Sequence, residues 1–132
     1  MKQMTAALII NDKKILLVHN TKKGLRIEPP GGKKESNETL EECNFREVYE
    51  ELGLETFIIR LFGVYPTSSP EGDFEVYMYL LDVLKGEIEL KEPEKISNYG
   101  WYSYEDLIEF KKKGFLVPNL VLALHSLKKF LV

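Results

Sequence analysis

A helix with a cap written at each end and three carboxylates on one flank constrains this chain more than any other feature. The segment from Gly32 to Leu54 reads GKKESNETLEECNFREVYEELGL. Thr39, with Glu42 three residues later, can form a capping box in which each side chain satisfies the other's backbone N–H. Gly53 stands where a helix C-terminus commonly turns left-handed, a conformation glycine adopts without steric cost. These signals predict a helix over roughly Thr39 to Leu52. At 100° per residue, Glu47, Glu50 and Glu51 share an arc of roughly 100°. Phe45, Val48, Tyr49 and Leu52 fall nearly opposite and are expected to pack on a sheet. Like charges at these spacings repel by a few tenths of a kcal/mol per pair, and the C-terminal half of a helix disfavours anions. A divalent cation reverses that cost, since Mg²⁺ takes oxygen ligands from a few carboxylates. The competing reading is a solvated, charged helix face.

The rest of the chain alternates β-rich and helical patterns. Thr5 to Ile10 and Ile15 to Val18 flank Asn11-Asp12-Lys13-Lys14 as a hairpin. Asn20 to Lys34 reads as a loop rich in Lys, Gly and Pro. Strands are expected at Phe57 to Tyr65, Phe74 to Leu84, Glu87 to Leu90 and Gly100 to Tyr102, with Pro66 to Asp73 and Glu92 to Asn98 as loops. Ser103 with Asp106 caps a helix ending near Gly114. Pro118 to Phe130 forms the last helix, with Leu120, Leu124, Leu127 and Leu131 near one face. The pattern gives an α/β (α+β) sandwich with a mixed sheet, as one domain over residues 1–132.

A net charge of −3 argues against a broad basic surface and stable nucleic-acid binding. A small anionic ligand needs only local positive charge. Cys43 is the one cysteine, so no internal disulfide is available and a reducing cytoplasm is expected. The N-terminal segment lacks the pattern of a signal peptide, and no apolar run approaches the length that spans a bilayer.

The stretch from Gly32 to Leu54 resembles the Nudix signature. That signature is a glycine, five residues, Glu, seven residues, then Arg-Glu-aliphatic-any-Glu-Glu-any-Gly-aliphatic. Gly32, Glu38, Arg46, Glu47, Val48, Glu50, Glu51, Gly53 and Leu54 match every specified position. The resemblance implies a Nudix-type α/β/α sandwich and an enzyme dependent on Mg²⁺ (or Mn²⁺). It implies that Glu47, Glu50 and Glu51 bind metal, joined by the backbone carbonyl of Gly31, and that Arg46 orients the carboxylates, with Glu42 and Glu50 as its neighbours one turn away. Glu38 is expected to be an outer or supporting group. The water-activating base is a helix glutamate, Glu50 or Glu51, or a glutamate of the loop before Trp101, Glu92 or Glu94; Glu94 is also a candidate metal ligand. Three departures, at Ile27, Pro29 and Asn37, touch the substrate pocket and not the acids.

Lys22, Lys23, Arg26, Lys33 and Lys34 cluster before the helix. Arg26 and Lys33 are candidates to neutralise substrate phosphates. Asn119 either hydrogen-bonds a base edge or serves as a helix N-cap. Phe74, Tyr77 and Tyr79 are candidates for stacking or for core. His19, His125 and Cys43 read as packing or surface residues. The implied reaction is in-line attack of an activated water on one phosphorus of a diphosphate linkage. The compact chain resembles the MutT-like members that convert a nucleoside triphosphate, including oxidised ones, to a monophosphate and pyrophosphate. ADP-ribose or dinucleoside polyphosphate hydrolysis is the alternative, as is a non-catalytic nucleotide-binding role, which usually goes with loss of a helix glutamate. The resemblance also allows a homodimer.

Overall fold

The computed structural model describes residues 2–69 and 71–132. In chain order these form β1 (Lys2–Asn11), β2 (Lys14–Asn20), β3 (Arg26–Glu28), β4 (Gly31–Lys33), α1 (Leu40–Leu52), β5 (Glu55–Ser69), β6 (Gly72–Lys85), β7 (Ile96–Tyr102), α2 (Tyr104–Lys112) and α3 (Pro118–Leu131). The strands run in the order β3-β2-β1-β6-β5, with β4 also on β1 and β7 also on β2. Only the β1–β6 ladder is parallel among these pairings.

The near-continuous apolar run of β1 reflects burial on both faces, as expected for a central strand with helices on each side. Side chains alternate across a strand, and here the alternation divides two cores. Ala6, Leu8, Ile15, Leu17, Val76 and Met78 pack with Leu107 of α2 and the apolar stripe of α3. Ala7, Ile9, Leu16, Val18, Tyr79 and Leu81 pack with Val48 and Leu52 of α1. The result is the α/β/α sandwich with a mixed sheet anticipated above. Leu120, Leu124, Leu127 and Leu131 are all buried, at 0, 5, 0 and 3% exposure.

Three differences from the sequence reading have local causes. First, β5 and β6 extend into the region expected as a loop, since Thr67 and Ser68 pair with Phe74 and Asp73; Pro70 lies outside the described residues. Pro66 is tolerated because β5 is an edge strand, where a missing N–H need cost no ladder bond. Second, residues 87–90 form no strand. Glu89 and Lys91 instead donate their N–H groups to the carbonyls of Leu52 and Glu51 at 2.9 and 3.2 Å, covering acceptors that a helix C-terminus leaves open. Third, the basic stretch before α1 contains β3 and β4.

The site lies where β1 changes partner. Its residues 4–6 pair with β4, and Ile10 and Asn11 pair with β2. Between those ladders the Ala7 N–H bonds to the Pro30 carbonyl at 2.8 Å, so β3 and β4 diverge beside the start of α1.

The β1–β2 hairpin turns on Asp12 and Lys13 at φ of 51° and 59°, the primed turn that matches strand twist. A lysine in the left-handed region is strained and a glycine is not. Lys13→Gly is therefore expected to stabilise the fold by about 0.5–1 kcal/mol, read as a raised urea midpoint; an unchanged or lower midpoint contradicts this account of the turn.

Candidate active site

The capping box forms as expected: Thr39 Oγ1 accepts from the Glu42 N–H at 3.1 Å and Glu42 Oε1 accepts from the Thr39 N–H at 2.8 Å. Gly53 ends α1 at φ 72°. The rotation of the helix about its axis differs from expectation. Its buried residues are Cys43, Asn44, Glu47, Val48, Glu51 and Leu52, while Phe45 and Tyr49 are 37% and 49% exposed. The inward arc thus carries two glutamates beside Val48 and Leu52, and Glu50 stays at the rim.

Glu47 and Glu51 are 9% and 1% exposed and stand within hydrogen-bond reach of each other. Burial raises both carboxyls above the ordinary carboxylate range, Glu51 well above it. Arg46 and Lys95 oppose the rise at Glu47, and Lys95 opposes it at Glu51. A close carboxylate pair of this kind favours holding a proton between its members.

Arg46 ties the acids to the preceding loop. Its Nε and Nη2 donate to Glu38 Oε2 and Oε1 at 2.9 and 2.8 Å, the bidentate fork that suits a carboxylate. Its Nη1 donates to Glu47 Oε1 at 3.0 Å and Glu50 Oε2 at 3.1 Å. Hydrogen bonding to Arg46 holds the Glu38 carboxyl at about 2. Glu42 is not a partner of Arg46 in these contacts, because its carboxylate is committed to the cap.

The glycine pair is fixed by what it touches. A Cβ on Gly32 would stand 2.5 Å from the Glu47 carboxyl carbon, and one on Gly31 would overlap the Thr5 carbonyl oxygen. Gly31, Gly32 and Glu47 line a cavity of about 440 Å³ together with Lys22, Lys23, Arg26, Lys33 and Lys34. The basic cluster seen in the sequence is thus gathered on one space. Some of its charge is already matched: Lys33 pairs with Glu71, and Arg26 lies 3.4 Å from Glu28. Phe74 also lines this cavity, whereas the Tyr79 hydroxyl is spent on Glu41 at 2.9 Å.

A smaller cavity of about 110 Å³ adjoins it through Met4, Arg26, Glu28 and Gly31, and reaches Asn119 at the start of α3. Asn119 is not the N-cap. That position is Val117, and Pro118 occupies the first turn. Asn119 Oδ1 is buried without a hydrogen-bond partner, an unusual condition for an amide.

Two functional candidates had no signal in the sequence. Glu28 is partly buried, which raises its carboxyl, and its Oε1 is enclosed with no hydrogen-bond partner. Lys95 lines the larger cavity, with its Nζ 3.5 Å from Glu51 Oε2. Glu94 is exposed and is absent from that lining. The Lys95 and Ile96 N–H groups both bond to the Glu92 carbonyl, and this turn sends Lys95 inward in place of its neighbour. Cys43 is buried and its thiol is pushed up to about 11, which suits packing and not nucleophilic attack. His19 is engaged with the Tyr102 hydroxyl at 2.6 Å.

Among the described residues, no three acidic, histidine or cysteine side chains already form a finished cage for an ion. The acids are shared between Arg46 and Lys95.

The NUDIX domain model matches residues 1–121, and the chain belongs to the Nudix hydrolase family. It is 37% identical over 97 residues to an ADP-ribose pyrophosphatase of Methanocaldococcus jannaschii, covering 70% of this chain and 57% of that protein. It is 35% identical over 88 residues to the NAD-capped RNA hydrolase NudC of Mannheimia succiniciproducens, covering 66% and 32%. The chain therefore spans about a third to somewhat over half of these relatives. A Nudix hydrolase structure from Nitrosomonas europaea superposes with a TM-score of 0.82 at 23% identity, over 96% of this chain and 86% of that one, and shares the fold.

The buried acid pair has a pH signature. A raised folded-state carboxyl keeps a proton that the unfolded chain has released, so Glu51 contributes stability at low pH and withdraws it as pH climbs from the ordinary carboxylate value. Glu38 has the opposite sign: its contribution is present above the ordinary value and fades as pH falls toward about 2. In chelator, Glu51→Gln is expected to remove part of the fall in melting temperature that sets in as pH rises above the ordinary carboxylate range. A variant with the slope of the native protein contradicts the reading of Glu47 and Glu51 as a pair that shares one proton.

Proposed function

We propose that this chain hydrolyses a diphosphate linkage in a nucleoside diphosphate derivative, with the acids of α1 as its cation-holding group. The observation that carries this reading is the buried Glu47–Glu51 pair beside a cavity lined by lysines and an arginine. The donor set fits Mg²⁺ or Mn²⁺: it is all oxygen, with carboxylates from one helix and backbone brought close by two glycines. Glu47 and Glu51 are the principal ligands, with the Gly31 carbonyl and Glu50 completing the set. A bound divalent ion supplies neutralisation of phosphate oxygens and acidifies water.

The remaining work falls to the chain itself. Arg46 fixes Glu47 and Glu50 relative to β4, whose Lys33 carbonyl accepts from its Nη2 at 3.3 Å. Glu50, the exposed acid that Arg46 holds beside Glu47, is assigned to accept the proton of the attacking water. Arg26, Lys22, Lys23 and Lys33 hold the phosphates, and Asn119 offers its free Oδ1 to a base edge. Glu94 is exposed and, among the described residues, has no hydrogen bond or ion pair to Arg46 or the α1 acids, so it receives no part in this scheme.

For the substrate, we infer a nucleoside triphosphate cut to a monophosphate and pyrophosphate. Several cations around one cavity favour a chain of phosphates over a single diphosphate. ADP-ribose is the second reading, favoured by the similarity to the Methanocaldococcus jannaschii enzyme. RNA capped with NAD is less favoured, since the net charge is −3. We place the protein in the cytoplasm, consistent with the buried thiol of Cys43; among the described residues no helix is long and apolar enough to cross a membrane.

A panel of nucleoside triphosphates, ADP-ribose and dinucleoside polyphosphates with Mg²⁺ tests the scheme. Glu47→Gln and Glu51→Gln are expected to lower kcat by on the order of 10²-fold or more, and chelator to abolish turnover. Full activity in both variants removes the site assignment. Turnover of ADP-ribose alone removes the substrate choice and leaves the class standing. Asn119→Ala is expected to raise KM about tenfold for its nucleotide with little change in kcat and no loss of stability, because it deletes an acceptor that only a ligand satisfies. Unaltered KM contradicts the base-edge contact.

A further inference from the structure

Among the described residues, Lys95 is the one cation in contact with the buried acid pair that does not belong to the family signature matched by α1. The turn between Glu92 and Ile96 and the bond from the Thr21 N–H to the Lys95 carbonyl at 3.0 Å anchor its backbone on both sides. From there its stem reaches into the cavity, and its Nζ stands 3.5 Å from Glu51 Oε2. Glu92 carries a further inward oxygen, Oε1, that is buried with no hydrogen-bond partner. Arg46 serves Glu38, Glu47 and Glu50 and makes no contact with Glu51 in these bonds. The deepest acid of the helix is therefore balanced by Lys95 and not by the arginine.

We propose that Lys95 is a tethered counter-cation that fills, in the metal-free protein, the charge position beside Glu51 that a divalent ion takes in the loaded enzyme. The proposal rests on the metal-site reading above. Metal and ammonium are alternatives at one pair of carboxylates, so entry of the ion displaces the lysine head toward the basic cavity. Lys95 is then a positioning residue: it keeps the acid pair folded and open before the ion arrives, and it sets how tightly the ion is held.

Lys95→Met and Lys95→Gln test this through stability and metal binding without substrate. In EDTA each variant is expected to melt about 5 °C below the native protein, because Glu51 loses its partner. In saturating Mn²⁺ that deficit is expected to close, and Mn²⁺ titration by calorimetry is expected to show affinity raised on the order of tenfold, since no like charge must be displaced. Lys95→Arg keeps the charge and should melt and bind as the native protein does. Lys91→Met, which removes an ammonium lying over Tyr49 on the outer side of α1, serves as the control. A deficit that persists unchanged in Mn²⁺, or affinity that is equal or weaker in both Lys95→Met and Lys95→Gln, overturns the proposal and leaves a packing role. If the native protein takes up no Mn²⁺ at all, the metal-site reading itself fails, which separates the two outcomes.

Discussion

Burying two carboxylates one helical turn apart is the demand around which this molecule is arranged. An isolated ion taken out of water costs several kcal/mol even after relaxation, and here Glu47 and Glu51 are nearly enclosed and adjacent. The neighbourhood answers with a cation on either side. Arg46 reaches Glu47 from the loop side and Lys95 reaches Glu51 from the turn before β7. Gly32 is a glycine because the Glu47 carboxylate lies where its Cβ would be. The same contacts balance the charge of both acids.

The fold supplies this arrangement by letting its central strand change partners. β1 runs beside β6 along most of its length and gives its other edge first to β4 and then to β2. The change of partner sets β4 against α1, with Gly32 beside Cys43 and Glu47. It brings the Gly31-Gly32 backbone, the basic residues of the β2–β4 region and the start of α3 to one place. Residues 87–91 serve the site from outside, since their N–H groups hold the C-terminal carbonyls of α1 and so help fix which flank of the helix faces inward.

What could be read from the sequence is what depends on near neighbours. The capping box of Thr39 and Glu42, the left-handed Gly53, the hairpin turn at Asp12-Lys13 and the spacing of the acids are all local, and the fold class followed from strand and helix periodicities. The rotation of α1 was not legible, because an arc of Phe45, Val48, Tyr49 and Leu52 looks like the natural buried face until the sheet and the 87–91 segment are in place. Tertiary contact selected an inward flank with two acids and left Phe45 and Tyr49 outside. Lys95 was not legible either. It sits among Glu92, Glu94 and other polar residues, and only the turn geometry decides which of these side chains enters. Asn119 carried two readings in the sequence; Val117 and Pro118 took the cap, and its Oδ1 is left without a hydrogen-bond partner.

The central claim is that the α1 acids are a cation site. Crystals soaked in Mn²⁺ and measured for anomalous scattering address it directly. A peak is expected in bonding contact with the Glu47 and Glu51 carboxylates, at about 2 Å as for oxygen ligands of a small divalent ion. A map with no peak there, or with ions only at the outer surface, contradicts it.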